Sequence, residues 1–344
     1  MEQSKERNHL FDNIKALLIF FVVTSHFIRV CGSFDPADSG GIFYAISFSF
    51  MIQCFFFISG YFSKNTEKCR RGAFRNFLLP YLILMPLMYV CRLLIFGHAT
   101  LDITMPSHAL WFLLAMFIYR FSIKTLAAVP GIIFLGFASY LLSGCFSALD
   151  TELALGRIFS FFIFFITGFF TTPEHITKIR NVKKRYSVLI LALLILFSYI
   201  VTESEQIPVE MLHLKDRYSE YGIGMLTGML IRTAVAVASF SWIFVLLNLM
   251  PERRTFLSGI GSRTVTVYIG HIPFRYLVQH FAIPGNGTFF TYLICSAFAV
   301  LIIYVLSLPF VTKAYTSAVD LIYDRVLLRL LHPFASVRNR KRSA

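Results

Sequence analysis

Apolar residues run along this chain in long blocks divided by short polar or basic caps. Each block approaches the roughly 20 residues that an α-helix needs to cross a bilayer. Ten blocks are read, at 13–32, 42–63, 76–96, 108–128, 130–148, 157–173, 186–202, 223–250, 262–282 and 288–313. They predict an all-α, polytopic membrane protein of about ten transmembrane helices, with residues 1–313 as its membrane domain. Only Ala-Ala-Val-Pro-Gly at 127–131 separates the fourth block from the fifth. The eighth is overlong, and Arg232 marks a place for it to break. Past the tenth, 314–334 mixes apolar positions with Asp320, Asp324, Arg325 and Arg329. That is the pattern of an amphipathic helix on a membrane surface, and with the basic tail it makes 314–344 a separate segment. The first block runs long without a small-residue cleavage site, which predicts a retained span rather than a signal peptide. No internal repeat is evident, which counts against a transporter built from inverted repeats.

Composition supports the membrane reading. Of 344 residues, 57% are hydrophobic and 15% charged, and the mean hydropathy is +0.69. A soluble domain carries roughly 45–50% apolar and 25% charged residues. The 39 phenylalanines suit lipid-facing and interhelical surfaces. A net charge of +14 raises the question of nucleic acid. The basic residues are spent in caps between apolar blocks, leaving no basic and aromatic surface to form a groove, so nucleic acid is excluded as a partner. The six cysteines are scattered and show neither metal-ligand spacing nor a disulfide framework, and no metal is expected.

Loop charge fixes an expected orientation. One set of connections carries Lys5 and Arg7; Lys64, Lys68, Arg70, Arg71 and Arg75; Lys178, Arg180, Lys183, Lys184 and Arg185; Arg253 and Arg254; and the tail Arg338, Arg340, Lys341 and Arg342. The alternate loops near 33–41, 97–107 and 283–287 have no Lys or Arg. In 203–222, Lys215 and Arg217 face five acidic residues, a length and charge ordinary for a solvated loop. The positive-inside rule then puts both termini in the cytoplasm of a multi-pass protein of the cell membrane, which an even number of spans satisfies.

Ionisable side chains within spans are expensive and normally face a cavity or a partner. In "FDNIKALLIFFVVTSHFIRV", Lys15 and His26 stand eleven residues apart. At 100° per residue they share one helix face, about 16 Å apart along the axis. Lys15 sits at the cytoplasmic side, His26 past the midplane, and Arg29 one turn beyond it. Two readings stand open: Lys15 snorkels while His26 makes an interhelical hydrogen bond, or both line a functional cavity. The second gains from company. His108 opens the fourth block, with Trp111 a turn deeper, either a belt residue or part of a site. His271 lies in "VYIGHIPFRY", with Arg275 four residues on and Pro273 loosening the helix between them. In "KCRRGAFRNFLLPY", Arg70, Arg71 and Arg75 are either positive-inside charge or a phosphate cradle.

The opening "FDNIKALLIFFVVTSHF" resembles that of the acyltransferase-3 family of integral membrane O-acyltransferases, especially its fucose 4-O-acetylase-like branch. That family sets an acidic residue, a basic residue three further on, then ten residues and a histidine; Asp12, Lys15 and His26 fall there. The basic position is more often arginine in the family, and Lys keeps the charge without the bidentate fork. "FFFISGYFSK" at 55–64 with Ser59 and Gly60, "RRGAFRNFLLPY" at 70–81, "LWFLLAMFIY" at 110–119 and "YIGHIPF" at 268–274 are also similar to family segments.

The resemblance implies about ten helices and a reaction split across the membrane, with acetyl-CoA as cytoplasmic donor and a cell-surface or lipid-linked carbohydrate as acceptor. On that reading Arg70, Arg71 and Arg75 hold the CoA phosphates, and Asp12 and Lys15 anchor the cofactor or orient the helix. His26 serves as general base or carries the acyl group. Arg29, Ser59, His108, Trp111, His271 and Arg275 are the candidates for the acceptor side. The alternative from another class is a membrane transporter or exporter of a glycan or small solute, which also uses intramembrane histidines and a wet cavity. A non-catalytic scaffold ranks below both.

Overall fold

A computed structural model describes residues 8–31, 39–102, 104–146, 152–204, 207, 209–281 and 289–327. Lys5, Arg7, Glu205, Arg329, the basic tail and most of the expected loops at 33–41 and 283–287 lie outside the described residues. The chain enters by α1 (Leu10–Cys31) and α2 (Ser39–Tyr61), then α3 (Thr66–Ala73) and α4 (Leu79–Phe96). Next come α5 (Trp111–Leu126), α6 (Ile132–Leu142), α7 (Leu155–Phe170), α8 (Pro173–Asn181) and α9 (Lys184–Glu203). The last five are α10 (Met225–Leu249), α11 (Phe256–Gly261), α12 (Thr264–His280), α13 (Phe289–Leu306) and α14 (Pro309–Ile322). No strand occurs among the described residues.

Among the described residues, eight helical stretches are long and apolar enough to cross a membrane. The other two expected spans are shorter. The fifth is α6 with a 3-10 turn to Cys145, confined at its start by Pro130 and a left-handed Gly131. The ninth is α12, whose 17 residues reach about 25 Å. The chain is an all-α, polytopic membrane protein.

Three sequence expectations change. Residues 66–73 are helical rather than loop, and they run into α4 through a π turn, Phe74–Leu78, so Thr66–Phe96 is one 31-residue helix. Pro80 has no N–H for the Asn76 carbonyl, and the ladder slips to an i→i−5 bond from the Leu79 N–H to the Phe74 carbonyl. The eighth span does not break at Arg232, because that buried guanidinium is satisfied sideways. It donates to the Tyr140 carbonyl at 2.9 Å, Ser143 Oγ at 2.7 Å and the Asp216 carbonyl at 3.1 Å. The tenth span ends at Leu306, and the following helix starts at Pro309 rather than 314.

Close approach holds the bundle. A Cβ on Gly60 would overlap the Phe165 carbonyl, and one on Gly168 would overlap the Phe57 carbonyl, so α2 and α7 cross backbone to backbone. Small residues at such crossings let dispersion act where lipid offers no hydrophobic drive. Phenylalanines fill what remains: Phe56 meets the rings of Trp111, Phe112, Tyr119 and Phe161. Two of the scattered cysteines also converge, with Cys31 Sγ 3.0 Å from Cys295 Sγ where α1 packs on α13.

Candidate active site

The site is organised by α1, whose first turn is clamped from outside. The Asn13 amide donates to the Pro251 carbonyl at 2.8 Å and the Arg253 carbonyl at 3.0 Å. Its carbonyl oxygen accepts from Thr255 Oγ1 at 2.6 Å and Ser258 Oγ at 2.7 Å. A Cβ on Gly261 would overlap the Asp12 carbonyl, so α11 lies directly against α1. Within this clamp Asp12 is buried and pairs with Lys15 Nζ at 3.0 Å, with His9 Nδ1 at 3.6 Å on its other oxygen. The acidic–basic motif is therefore an ion pair within one helical turn.

Lys15 lines a cavity of about 230 Å3, termed the inner cavity, with Ser59, Phe62, Phe112, Arg120, Ser262 and Tyr268. Ser59, grouped by sequence with the acceptor-side candidates, sits here instead. A second space opens from it across Phe77, Arg120, Ser262 and Val265, adding Arg75, Arg263, Tyr315 and Asp320. A third, with Lys64 and Lys68, again includes Arg120. Arg120 is thus the cation common to all three; its Nε donates to Ser63 Oγ at 3.2 Å and its guanidinium lies 5.4 Å from the Phe77 ring. Arg75 is engaged by Asp320, at 3.1 Å through Nε and 2.6 Å through Nη2. Arg70 and Arg71 are exposed on α3, and Arg70 stacks 5.1 Å over Phe121. Neither of the two lines these cavities.

His26, eleven residues further along α1 than Lys15, lines a second cavity of about 210 Å3, termed the outer cavity. Arg29, His108, Trp111, Arg157, Glu210, His213, Lys215, Asp216 and Tyr268 share its wall. The His271 ring is fully buried with its centroid 5.2 Å from that of His26. His271 Nδ1 lies 3.2 Å from the Val267 carbonyl, while Nε2 is buried without a hydrogen-bond partner. Arg275 Nη1 lies 3.4 Å from His108 Nε2 and donates to Gln279 Oε1 at 3.1 Å. The three intramembrane histidines and Arg275 are therefore one cluster, drawn from α1, α12 and the turn before α5.

Tyr268 belongs to both cavities. Its hydroxyl donates to the Ala109 carbonyl at 2.8 Å, and its ring packs 5.2 Å from Phe112 and 6.1 Å from His271. One aromatic side chain thus stands between the Lys15 space and the His26 space.

The loop after α9 folds inward. The Tyr44 hydroxyl bonds His213 Nε2 and accepts from Arg29 Nη1 at 3.2 Å. Burial, then the charges of Arg29, Arg157 and Lys215, hold the His213 imidazole below its usual range. Four non-glycine residues among those described have positive φ: His108 (42°), Leu153 (50°), Ala154 (54°) and Leu214 (52°). Each lies within four residues of a wall residue of the outer cavity or is one itself. Such strain persists where surrounding structure over-determines it, and it clusters at functional sites.

Sequence reasoning omits Asn13, Arg120, Arg157, His213 and Tyr268. Arg120 lies inside the fourth apolar block, where a guanidinium is as conspicuous as Lys15 in the first. Arg157 opens its block and reads as a charged cap. His213 and Tyr268 carry no local signal, since only the fold brings them to the cavities.

A family model described as an acyltransferase domain, that of the acyltransferase-3 family, matches residues 8–308. No curated protein and no solved structure gives a significant match.

Proposed function

Because the chain belongs to the acyltransferase-3 family and is a membrane acyltransferase, we propose that it moves the acetyl group of acetyl-CoA to a hydroxyl of a carbohydrate. The observation that carries this reading is the pair of adjoining cavities, one lined by Lys15 and the other by His26, that share Tyr268. A donor taken at one end and an acceptor at the other can then meet inside the bundle without either crossing it.

The Lys15 end is the cytoplasmic end on this reading, with both termini there in the plasma membrane. Its basic connections converge, since Arg180 donates to the Leu247 and Met250 carbonyls and pairs with Glu252 at 3.2 Å, beside the 251–258 segment that clamps Asn13. Arg120, Arg263 and Arg75 bind the anionic part of acetyl-CoA, as guanidinium groups bind phosphate. The Asp12–Lys15 pair fixes the first turn of α1 and presents an ammonium to the inner cavity.

At the other end His26 takes the proton of the acceptor hydroxyl. The hydroxyl oxygen forms a bond to the thioester carbonyl carbon, the carbon–sulfur bond breaks, and the CoA sulfur leaves with the proton. Arg275 and His108 supply positive charge and donors beside the carbonyl oxygen as it becomes an oxyanion. The inner position of Ser59 gives it a place beside the donor.

The test is acetyl transfer in membranes containing His26→Ala at wild-type expression. The expectation is loss of at least a hundredfold in ester formation and in release of CoA thiol. Product near the wild-type level would remove His26 from the chemistry. A transporter, by contrast, would move its solute unmodified and release no CoA thiol.

A further inference from the structure

Arg232, which is buried, and Arg157, which is part-buried on the wall of the outer cavity, differ in one respect. Arg232 spends its guanidinium on Tyr140, Ser143, Ser160 and the Asp216 carbonyl, which makes it a structural cross-brace. Arg157 does not. It stands in the first turn of α7 with its guanidinium carbon 4.6 Å over the Trp111 ring, and its Nε is buried without a hydrogen-bond partner. Among the described residues no carboxylate is within ion-pair distance of it. Asp216, on the same wall, is taken by Lys215 at 3.1 Å and by the Tyr221 hydroxyl at 3.1 Å.

A desolvated guanidinium without an anion is unfavourable. The backbone leading to it adds to this, since Leu153 and Ala154 are both left-handed immediately before α7 begins. Among the described residues the fold therefore leaves a cation without an ion pair on the wall of the outer cavity, with two strained residues about one turn before it. Packing does not explain the guanidinium, because the Trp111 face needs no charge above it. A ligand that carries an anion does explain it, since the guanidinium fork matches carboxylate and phosphate oxygens. Arg157 stands with Trp111 and the inward loop bearing His213, whereas the neighbours of His26 are His271, His108 and Arg275. Its task is thus recognition of the acceptor rather than stabilisation of the reacting carbonyl.

We infer that Arg157, mounted on Trp111, binds an anionic group of the acceptor, so that the acyltransferase selects acidic carbohydrates bearing a carboxylate or a phosphate. This inference rests on the reading that a carbohydrate occupies the outer cavity.

The experiment uses the full chain in lipid nanodiscs and four probes: glucuronate, methyl glucuronate, glucose 1-phosphate and glucose. Thermal shift reads binding without acetyl-CoA; acetyl transfer is read with it. The wild type is expected to be stabilised by glucuronate or glucose 1-phosphate and not by their neutral counterparts, and the anion that binds better identifies the group recognised. Arg157→Gln removes the selectivity and raises KM for the acidic acceptor at least tenfold with kcat retained. Arg157→Lys keeps the charge without the fork and falls between. Equal stabilisation by neutral and acidic sugars overturns the inference, as does an Arg157→Gln protein that keeps the acid preference. Anion-selective binding with no acetyl transfer to any probe leaves the anion site standing and fails the reading of acetyl transfer to a carbohydrate instead. If Arg157→Gln does not fold, the wild-type selectivity and Arg157→Lys decide.

Discussion

The hydroxyl of Tyr268 donates to the carbonyl of Ala109 at 2.8 Å, tying α12 to the turn that opens α5 across the one wall common to both cavities. The ring's position, more than its hydroxyl, separates the Lys15 space from the His26 space. Tyr268→Phe is expected to lower stability by about 1 kcal/mol, through the lost hydrogen bond, while keeping acetyl transfer within a few fold. Tyr268→Trp overfills the wall; it is expected to cut transfer at least tenfold with acetyl-CoA affinity unchanged. Full transfer by the Trp variant would mean that the acyl group takes another route.

Asn13 connects α1 to the 251–258 segment through four side-chain hydrogen bonds. Asn13→Ala strands two carbonyls and two hydroxyls in a buried place, and a loss of roughly 2–4 kcal/mol is expected. Thermal unfolding in detergent checks it. A melting point within a degree of wild type would show that water replaces the clamp.

The α2–α7 crossing tolerates no side chain. Gly168→Ala puts a Cβ into the Phe57 carbonyl, and the helices have to separate or tilt. Overpacking of this kind costs about 1–3 kcal/mol or more, and Gly60→Ala is expected to behave alike. Wild-type yield and melting for either variant would contradict the close contact.

Arg75 spends its guanidinium on Asp320, a partner that competes with any anionic ligand. An exposed pair adds little to stability, so Asp320→Asn should fold normally and bind acetyl-CoA more tightly. Arg75→Ala should bind it less well, with the fold intact. Isothermal titration with acetyl-CoA distinguishes the two; unchanged affinity in both would remove Arg75 from the donor site.

The helical plan is legible in the sequence because bilayer physics leaves so few choices: a long apolar block is a helix, and its ends fall where polarity begins. Lys15, His26, His108, His271 and Arg275 are legible for the same reason, each being a titratable group where lipid belongs. What the sequence hides is partnership. Arg232 reads as an intramembrane cation and Arg157 as a charged cap, yet it is Arg232 that is saturated, by Tyr140, Ser143, Ser160 and Asp216, while Arg157 Nε has no partner. Arg70, Arg71 and Arg75 look like one cluster, but only Arg75 lines a cavity, because a helix with a π turn distributes them over different faces. The inward fold of the loop after α9 depends on contacts such as Tyr44 with His213, which join distant parts of the chain.

The shared Tyr268 wall has an electrical consequence. Carrying one elementary charge across a membrane at 100 mV involves about 2.3 kcal/mol. On the proposed route the CoA phosphates stay at one end and the acceptor's anion at the other; the acyl group moves one way and the proton of the acceptor hydroxyl returns with the CoA sulfur, so no net charge is carried between them. Turnover would then run at the same rate in energised and de-energised cells, drawing on the thioester alone and leaving the ion gradients untouched.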